Sequence, residues 1–582
     1  MEVNITKVRQ LRNNEYYCMQ ETFDFLYKKS KQGCVFRKLI SFVNTDNNLR
    51  LAYRNIKTNK GSKTNGLSGK NMSFIANMKL MVYLKFIKEC IDNYKPSIIR
   101  RAGIPKANGK LRYLGIKEPI DKIIEQSIYQ VLEPILTAKF HNNSNGFIKG
   151  RSQERALAQF TNYIRKDKLY YVIDLDIKGF FDNVNHGKLL KQLWSSGVED
   201  KNLISIISKM LKAKIFGVGI PEKGTPQGGI LSPLLANLVL NEFDWWLESK
   251  ALLGIKFVRF ADDVKILCPS YSVARIMLGK TKRWLRHRLN LEVSDEKTKI
   301  VNLKRNYSHF LGFKIKVKFK KDKMKIISHM TEKSIENTKI KVKKQIRKIK
   351  RASTNNNKCI KEVELYNSII RGIHNYYEKA TNIYEDLRGI KWCMESYVNT
   401  KLKNVLSFGD IKDDITKKVI GNFPKIRGRP LLEIGKTCYN NKVYVVSKRN
   451  YFESNSRMRF HKDLALDNMF ILNQLLRMPN LNESVEFNDN VLSRFCGQLG
   501  KYAITNELIF DLKNMRAIKI IENGTDKYNN IIIVDNKTKK LIRMKEVDDI
   551  IEMYSLIKGV EPKQLEKINK IRKENSLPLI SY

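Results

Sequence analysis

Acidic residues are scarce beside basic ones. The 582-residue chain holds 58 Asp and Glu against 109 Lys and Arg, a formal net charge of +51. A field of that sign disfavours basic partners and leaves polyanions, meaning nucleic acid or an anionic membrane. Cysteines are few and scattered, eight in all with no Cys-x-x-Cys pair, which argues against a zinc ribbon and a disulfide scaffold. That usage fits a reducing compartment, and no zinc is expected. No apolar run approaches bilayer length, and the opening stretch MEVNITKVRQLRNNEYY carries charges where a secretory signal needs an apolar core. No membrane partner is therefore expected, and nucleic acid is the favoured use of the charge. Histidine is rarer still: there are seven, and the last is His461. Nothing beyond it can supply an imidazole base or metal ligand.

What is present is organised by periodicity and punctuation. No repeat of solenoid length occurs. The first ninety residues have helical spacing in LRLAYRNIKTNK and FIANMKLMVYLKFIKECI, interrupted by the loop GSKTNGLSGKN. A mixed stretch from Ile104 to about Val317 alternates short apolar runs with helical ones. TEKSIENTKIKVKKQIRKIKRA then predicts a very basic helix, and a second helical block is predicted over 363–406. The last ninety-odd residues read as a separate mixed unit with a strand at NIIIV.

Two acidic motifs carry the chemistry. RFADDVKIL (Arg259–Leu267) reads as strand, tight turn, strand, with Asp262 and Asp263 at the tip. Asp is common in turns, so this motif alone is also an ordinary hairpin. YYVIDLDIKGFFDNVNH (Tyr170–His186) starts as a strand in which Asp174 and Asp176 share one face. Carboxylates on a buried sheet are costly without a cation. One of this pair meeting the hairpin pair would form a cage of oxygen ligands suited to Mg²⁺. Two such ions, roughly 3.5–4 Å apart, activate an attacking hydroxyl and stabilise a leaving group in phosphoryl transfer.

From about Leu49 to Phe313 the chain resembles group II intron-encoded reverse transcriptases, with the motifs in that family's order. The resemblance rests on IPKANGKLRYLGI (Ile104–Ile116), DIKGFFDNVNH, GTPQGGILSPLLANLVLNEFD (Gly224–Asp244), FADD, LNLEVSDEKTKI and FLGF. It implies an α+β, right-hand polymerase fold with fingers, palm and thumb. It places Asp176, Asp262 and Asp263 as catalytic residues holding two Mg²⁺ ions. Lys106 and Arg112, with Lys110 as a rival, would bind triphosphate oxygens, against the plain reading of charges in a surface turn. Phe181 would act as a steric gate against a 2′-hydroxyl, core packing being the alternative, and Gln227 would line the nucleotide pocket. Lys297 is compatible with protonating the leaving pyrophosphate, though a basic surface explains it without that role. Tyr113, Lys117, Leu175, NGFIKGRS and GLSG depart from the family's usual residues without removing a metal ligand, and point to a reduced activity.

The resemblance continues beyond the polymerase motifs. ELYNSIIRGIHNYYEKATN (Glu364–Asn382) resembles the maturase region, with Ile369, Ile370 and Ile373 on the apolar side. Arg371, Asn375, Tyr376 and Tyr377 are then expected to reach RNA, and a core helix in a bundle is the local alternative. The C-terminal stretch resembles the HNH endonuclease domain carried by many of these proteins. Tyr502 stands where a zinc Cys belongs, Lys539 and Arg543 stand near His positions, and Asn530 is kept. A degenerate domain without endonuclease activity follows.

The expected division is 1–95 (N-terminal extension and first finger elements), 96–320 (fingers and palm), 321–410 (thumb or maturase region), 411–485 (basic linker or DNA-binding region) and 486–582 (degenerate HNH-like domain and basic tail). Implied partners are group II intron RNA, a DNA target or primer and dNTPs, with a homodimer among the open assemblies. The implied location is intracellular, the bacterial cytoplasm or an organelle. An active reverse transcriptase and maturase is the favoured function. A splicing-only RNA-binding maturase is the alternative, and an RNA-dependent RNA polymerase is disfavoured by the motifs.

Overall fold

The computed structural model describes residues 13–105, 111–320, 323–412, 419–436, 449–458, 469–545 and 550–581. The chain forms two compact units: Met1–Phe140 with Gly179–Asn241 and Lys448–Tyr582, and His141–Lys178 with Glu242–Ser447. Among the described residues no helix is long and apolar enough to cross a membrane.

The first unit is mainly helical. Helices Gln20–Lys31, Asp46–Lys57 and Leu80–Asp92 pack around Pro119–Thr137. Pro119 opens that last helix, where its missing N–H costs nothing. FIANMKLMVYLKFIKECI forms two helices, Met72–Ala76 and Leu80–Asp92, rather than one. The break is set by distant chain: Val485 N–H donates to Met78 O at 2.9 Å and Leu80 N–H to Glu483 O at 2.9 Å. A hairpin of β1 (Arg100–Pro105) and β2 (Leu111–Ile116) follows.

The C-terminal segment of this unit divides its packing between two cores. Helix Val485–Gly497 shares one core with Tyr17, in the turn before helix Gln20–Lys31, and with Phe23 and Leu51. The antiparallel strands Met515–Lys519 and Ile531–Asp535 lead into helix Asn536–Arg543, whose Leu541 and Ile542 pack with the last helix, Pro562–Glu574.

Asp489 is the ionic centre of the first of these cores. It pairs with Lys57 and, at 2.9 Å, with Arg54, and it accepts a hydrogen bond from the Tyr17 hydroxyl. Burial works to raise its pKa, but Lys57 and Arg54 outweigh burial and hold the carboxyl at about 2. The folded value lies below the unfolded one of about 3.9. Its stabilisation, about 2 kcal/mol, is therefore present above pH 4 and lost as pH falls towards 2. Urea denaturation at pH 5 and at pH 2.5 should show this loss, and Asp489→Asn should be less stable at pH 5 and largely remove this step. A pH step unchanged by the substitution would contradict the assignment.

The second unit is built on a four-stranded sheet. Its strands are β3 (Tyr171–Asp176), β4 (Lys256–Phe260), β5 (Asp263–Cys268) and β6 (Lys299–Asn302), in the order β4-β5-β3-β6 with every neighbour antiparallel. Val172, Val258, Leu267 and Val301 bury one side of it against Phe160 and Ile164 of helix Gln153–Lys166. Ser152 caps that helix by accepting Arg155 N–H, and Arg165 and Lys166 suit its negative end.

A meander follows: β7 (Ser308–Phe310), β8 (Phe313–Lys320) and β9 (Lys323–Met330). Leu311 and Gly312 turn between its first two strands at φ 51° and 83°. Positive φ at both central residues is what a type I′ hairpin turn requires. Helices Glu332–Ala352, Asn356–Tyr377 and Ile383–Leu402 complete the unit. The first buries Val342, Ile346 and Ile349, one stripe at helical spacing. The block expected over 363–406 begins earlier and is two helices. At the break, Thr381 accepts Ser328 N–H at 2.8 Å and returns its own N–H to Ser328 Oγ at 2.9 Å, tying the chain to β9.

Candidate active site

Strand pairing decides which acids meet. β3 and β5 run antiparallel with Asp176 opposite Asp263 and Asp174 opposite Lys265. Opposed residues point to the same side, so these four charges share one face of the sheet. Asp262 lies in the two-residue turn before β5. Ala261, the other turn residue, adopts φ 57°, the left-handed region that such turns use. A non-glycine residue held there is strained, as is common beside reacting groups.

Lysines answer the carboxylates. Lys297 Nζ lies 3.0 Å from Asp176 Oδ2 and is largely exposed. Lys265 Nζ is buried, 3.2 Å from Asp174 Oδ1 and 3.1 Å from Asp263 Oδ1. Desolvation pushes the Asp263 carboxyl above its ordinary pKa, against the pull of Lys265. Burial alone would lower the Lys265 pKa, but Asp174 and Asp263 hold it above the ordinary lysine value. Asp174 Oδ1 also accepts a hydrogen bond from Ser308 Oγ at 2.6 Å, so this oxygen serves the interior. Among the described residues no three His, Cys, Asp or Glu side chains gather closely enough to share a metal ion. The structure thus brings Asp176 and Asp263 together, with ammonium groups standing where an acidic cluster needs positive charge. Carboxylate oxygen is the ligand type that suits Mg²⁺ rather than a soft metal, but the three acids Asp176, Asp262 and Asp263 do not form the closed cage that the sequence suggests.

The hairpin that carries Asp262 and Asp263 is braced from below. Arg259 is fully buried and donates from Nε and Nη2 to Asp244 Oδ1 and Oδ2 at 2.7 and 2.6 Å. Its Nη1 donates to the turn carbonyl of Ala261 at 2.8 Å. On the far side of β4, Asn145 N–H donates to Arg259 O and Arg259 N–H to Asn143 O. A Cβ on Gly146 would lie 2.2 Å from Ala261 N, so only glycine permits this approach. Sequence alone gives Arg259, Asp244 and Lys265 no role. Their signal was charge in strands and a helix that are otherwise apolar.

Gln227 and Phe181 belong to the other unit. Gln227 Nε2 donates to Asp182 Oδ1 at 3.1 Å, and its carbonyl accepts Gly115 N–H at 2.7 Å. The GTPQGG loop lies against two backbones. A Cβ on Gly224 would meet Asp182 O at 2.9 Å, and one on Gly228 would meet Gly115 O at 3.0 Å. Gln227, Tyr113, Arg101 and Asp182 line a cavity of about 250 Å³. Phe180 is the core residue of its pair, and Phe181 is half-buried with its carbonyl accepting Thr225 N–H. Lys106 and Lys110 lie outside the described residues. Arg112 is placed in β2, opposite Ile104.

The expected RNA contacts of helix Asn356–Tyr377 are partly redirected. Arg371 and Asn375 are exposed. Tyr376 and Tyr377 instead pack against Phe313, at ring distances of 5.4 and 5.3 Å, and the Tyr376 hydroxyl donates to Leu311 O. The FLGF hairpin packs against these rings, which remain half-buried at the edge of the core. Further on, Tyr502 is buried, Lys539 is exposed and Arg543 pairs with Glu522 at 3.5 Å. Asn530 closes the loop before its strand by hydrogen bonds to Ile521 and Thr525.

Residues 104–315 match the family described as reverse transcriptase (RNA-dependent DNA polymerase). Protein YkfC of Escherichia coli is 28% identical over 357 residues, 52% of this chain and 93% of that protein. The group II intron-encoded protein LtrA of Lactococcus lactis is 32% identical over 271 residues, 46% of this chain and 43% of LtrA. Nuclear intron maturase 4, mitochondrial, of Arabidopsis thaliana is 28% identical over 130 residues, 21% of this chain and 16% of that protein. The chain thus spans less than half the length of the two relatives named for introns. The matched family stretch contains Asp176, Asp262, Asp263, Phe181 and Gln227.

Proposed function

We propose that this chain is an RNA-directed DNA polymerase and intron maturase, one that binds group II intron RNA, assists its splicing and copies it into DNA. The observation that carries the reading is Asp176 standing opposite Asp263, one residue from the turn acid Asp262, within the stretch similar to reverse transcriptases. Asp176, Asp262 and Asp263 would hold two Mg²⁺ ions. When bound, the metal supplies charge stabilisation for the attacking and leaving oxygens of nucleotidyl transfer. The chain's own residues do the rest. Arg259 and Gly146 hold the acidic turn in place, and Gln227, Phe181, Lys106 and Arg112 bind and select a dNTP.

The sheet and its hairpin serve as the palm of a right-hand polymerase, and the three helices over 332–402 as thumb and maturase region. The lysine-rich face of helix Glu332–Ala352 tracks phosphates of intron RNA or of a template–primer duplex. The C-terminal strand–strand–helix segment is read as a degenerate HNH-like domain that binds nucleic acid without cutting it. Its polar positions hold Tyr502, Lys539 and Arg543, and no histidine follows His461.

Binding to intron RNA tests the RNA half of this reading. With six or more phosphates neutralised, affinity should fall about 10³-fold between 50 and 200 mM salt. Specificity carried by RNA shape and exposed bases should survive that change. Filter binding with the cognate intron and a random RNA of equal length checks both. Salt-insensitive binding, or equal affinity for the two RNAs, would leave the splicing role without support.

A further inference from the structure

Lys265 is the charged residue that this reading leaves without a task. It interrupts the apolar run of β5, between Val264 and Ile266, and its side chain is 5% exposed. A buried ammonium is expensive unless it is fully compensated. Here compensation comes from two carboxylates on the same sheet face, Asp174 Oδ1 at 3.2 Å and Asp263 Oδ1 at 3.1 Å. Ser308 Oγ fixes Asp174 in turn, at 2.6 Å. The result is an ordered row, Ser308–Asp174–Lys265–Asp263, that ends on a residue of the acidic site.

We propose that Lys265 is a built-in counter-ion, a positioning residue that fixes the Asp263 carboxylate and sets how tightly the site binds divalent cations. The inference rests on Asp263 being a metal-holding residue, as read above. Lys265 engages Oδ1 of Asp263, whose side chain is 39% exposed, and leaves Oδ2 for a cation. The fixed positive charge beneath it also opposes a second cation arriving at the same carboxylate, so affinity for divalent ions is held down. Asp174 gains a role as well: it is the second anion that makes a lysine tolerable at this depth. Lys297 is a different device. It is 66% exposed in its side chain, so it can leave Asp176 for water at little cost, whereas Lys265 has no solvent to move into.

The test is Mn²⁺ binding by the full chain without nucleotide, read by electron paramagnetic resonance as loss of the free-ion signal. Asp263→Asn identifies which bound Mn²⁺ belongs to this site. Lys265→Met alone strands the buried Asp174, so the informative variant is Lys265→Met with Asp174→Asn, which removes the lysine together with its buried partner and leaves Asp263, whose side chain is 39% exposed, to water and metal. That double variant should bind Mn²⁺ at the Asp263-dependent site about tenfold more tightly. Its Mg²⁺ requirement for primer extension should fall by a similar factor. Asp263-dependent binding of unchanged or weaker affinity in the double variant would overturn the counter-ion role. Absence of any Asp263-dependent binding in the parent would overturn the metal reading, and this inference with it.

Discussion

Replacing Asp262 and Asp263 together with alanine should lower RNA-templated primer extension by about 10³-fold or more, a barrier increase of about 4 kcal/mol. The expectation follows from position. Asp263 faces Asp176 across the strand pair, and Asp262 precedes it in the turn, so the variant removes two of the three half-buried acids of the site. Affinity for intron RNA should change little, because it depends on basic surfaces such as helix Glu332–Ala352. Extension assays and filter binding on the same preparations separate the two effects. Extension at the parental rate would show that these acids do not serve the reaction.

The largest effect on stability is expected at Asp244. Its carboxylate and the Arg259 guanidinium are both fully buried and joined by two hydrogen bonds. Asp244→Ala leaves Arg259 charged, buried and without its main partner, a change that costs about 3–5 kcal/mol. Thermal unfolding should register it as a large fall in Tm. Replacing both residues, Asp244→Leu with Arg259→Met, should recover much of that stability, since an apolar pair of similar volume avoids the desolvation cost. Extension should stay impaired in the double variant, because the Ala261 carbonyl then lacks its Arg259 donor and the acidic turn is less firmly held. Full recovery of both properties would mean that Arg259 serves packing alone.

The sequence made the acidic hairpin legible because the pattern is local. Apolar strands flank the acidic tip, although the turn proper is Ala261 and Asp262, and Asp263 is already the first residue of β5. Strand β3 was legible for the same reason, and so was the basic helix with its Val342, Ile346 and Ile349 stripe. What escaped depends on partners far along the chain. Asp489 reads as one polar residue in NDNVL, yet its partners Tyr17, Arg54 and Lys57 lie more than four hundred residues earlier. Tyr376 and Tyr377 look suited to stack on bases, and only the fold sets them, half-buried, against Phe313 of the FLGF hairpin. Lys265 looks like a surface lysine on a half-exposed strand, and only the register with Asp174 gives it a buried partner. The break at Thr381 is likewise made by Ser328, on a strand that local periodicity does not bring near.

The most direct measurement of the central claim is extension of a DNA primer on an RNA template by the purified chain, followed with dNTPs or rNTPs and with or without a chelator. The account predicts templated DNA synthesis that needs a divalent cation and strongly prefers dNTPs, the preference falling when Phe181 is replaced by a small residue. No incorporation under any divalent cation, in a preparation that still binds intron RNA, would contradict the polymerase reading and leave the splicing role alone.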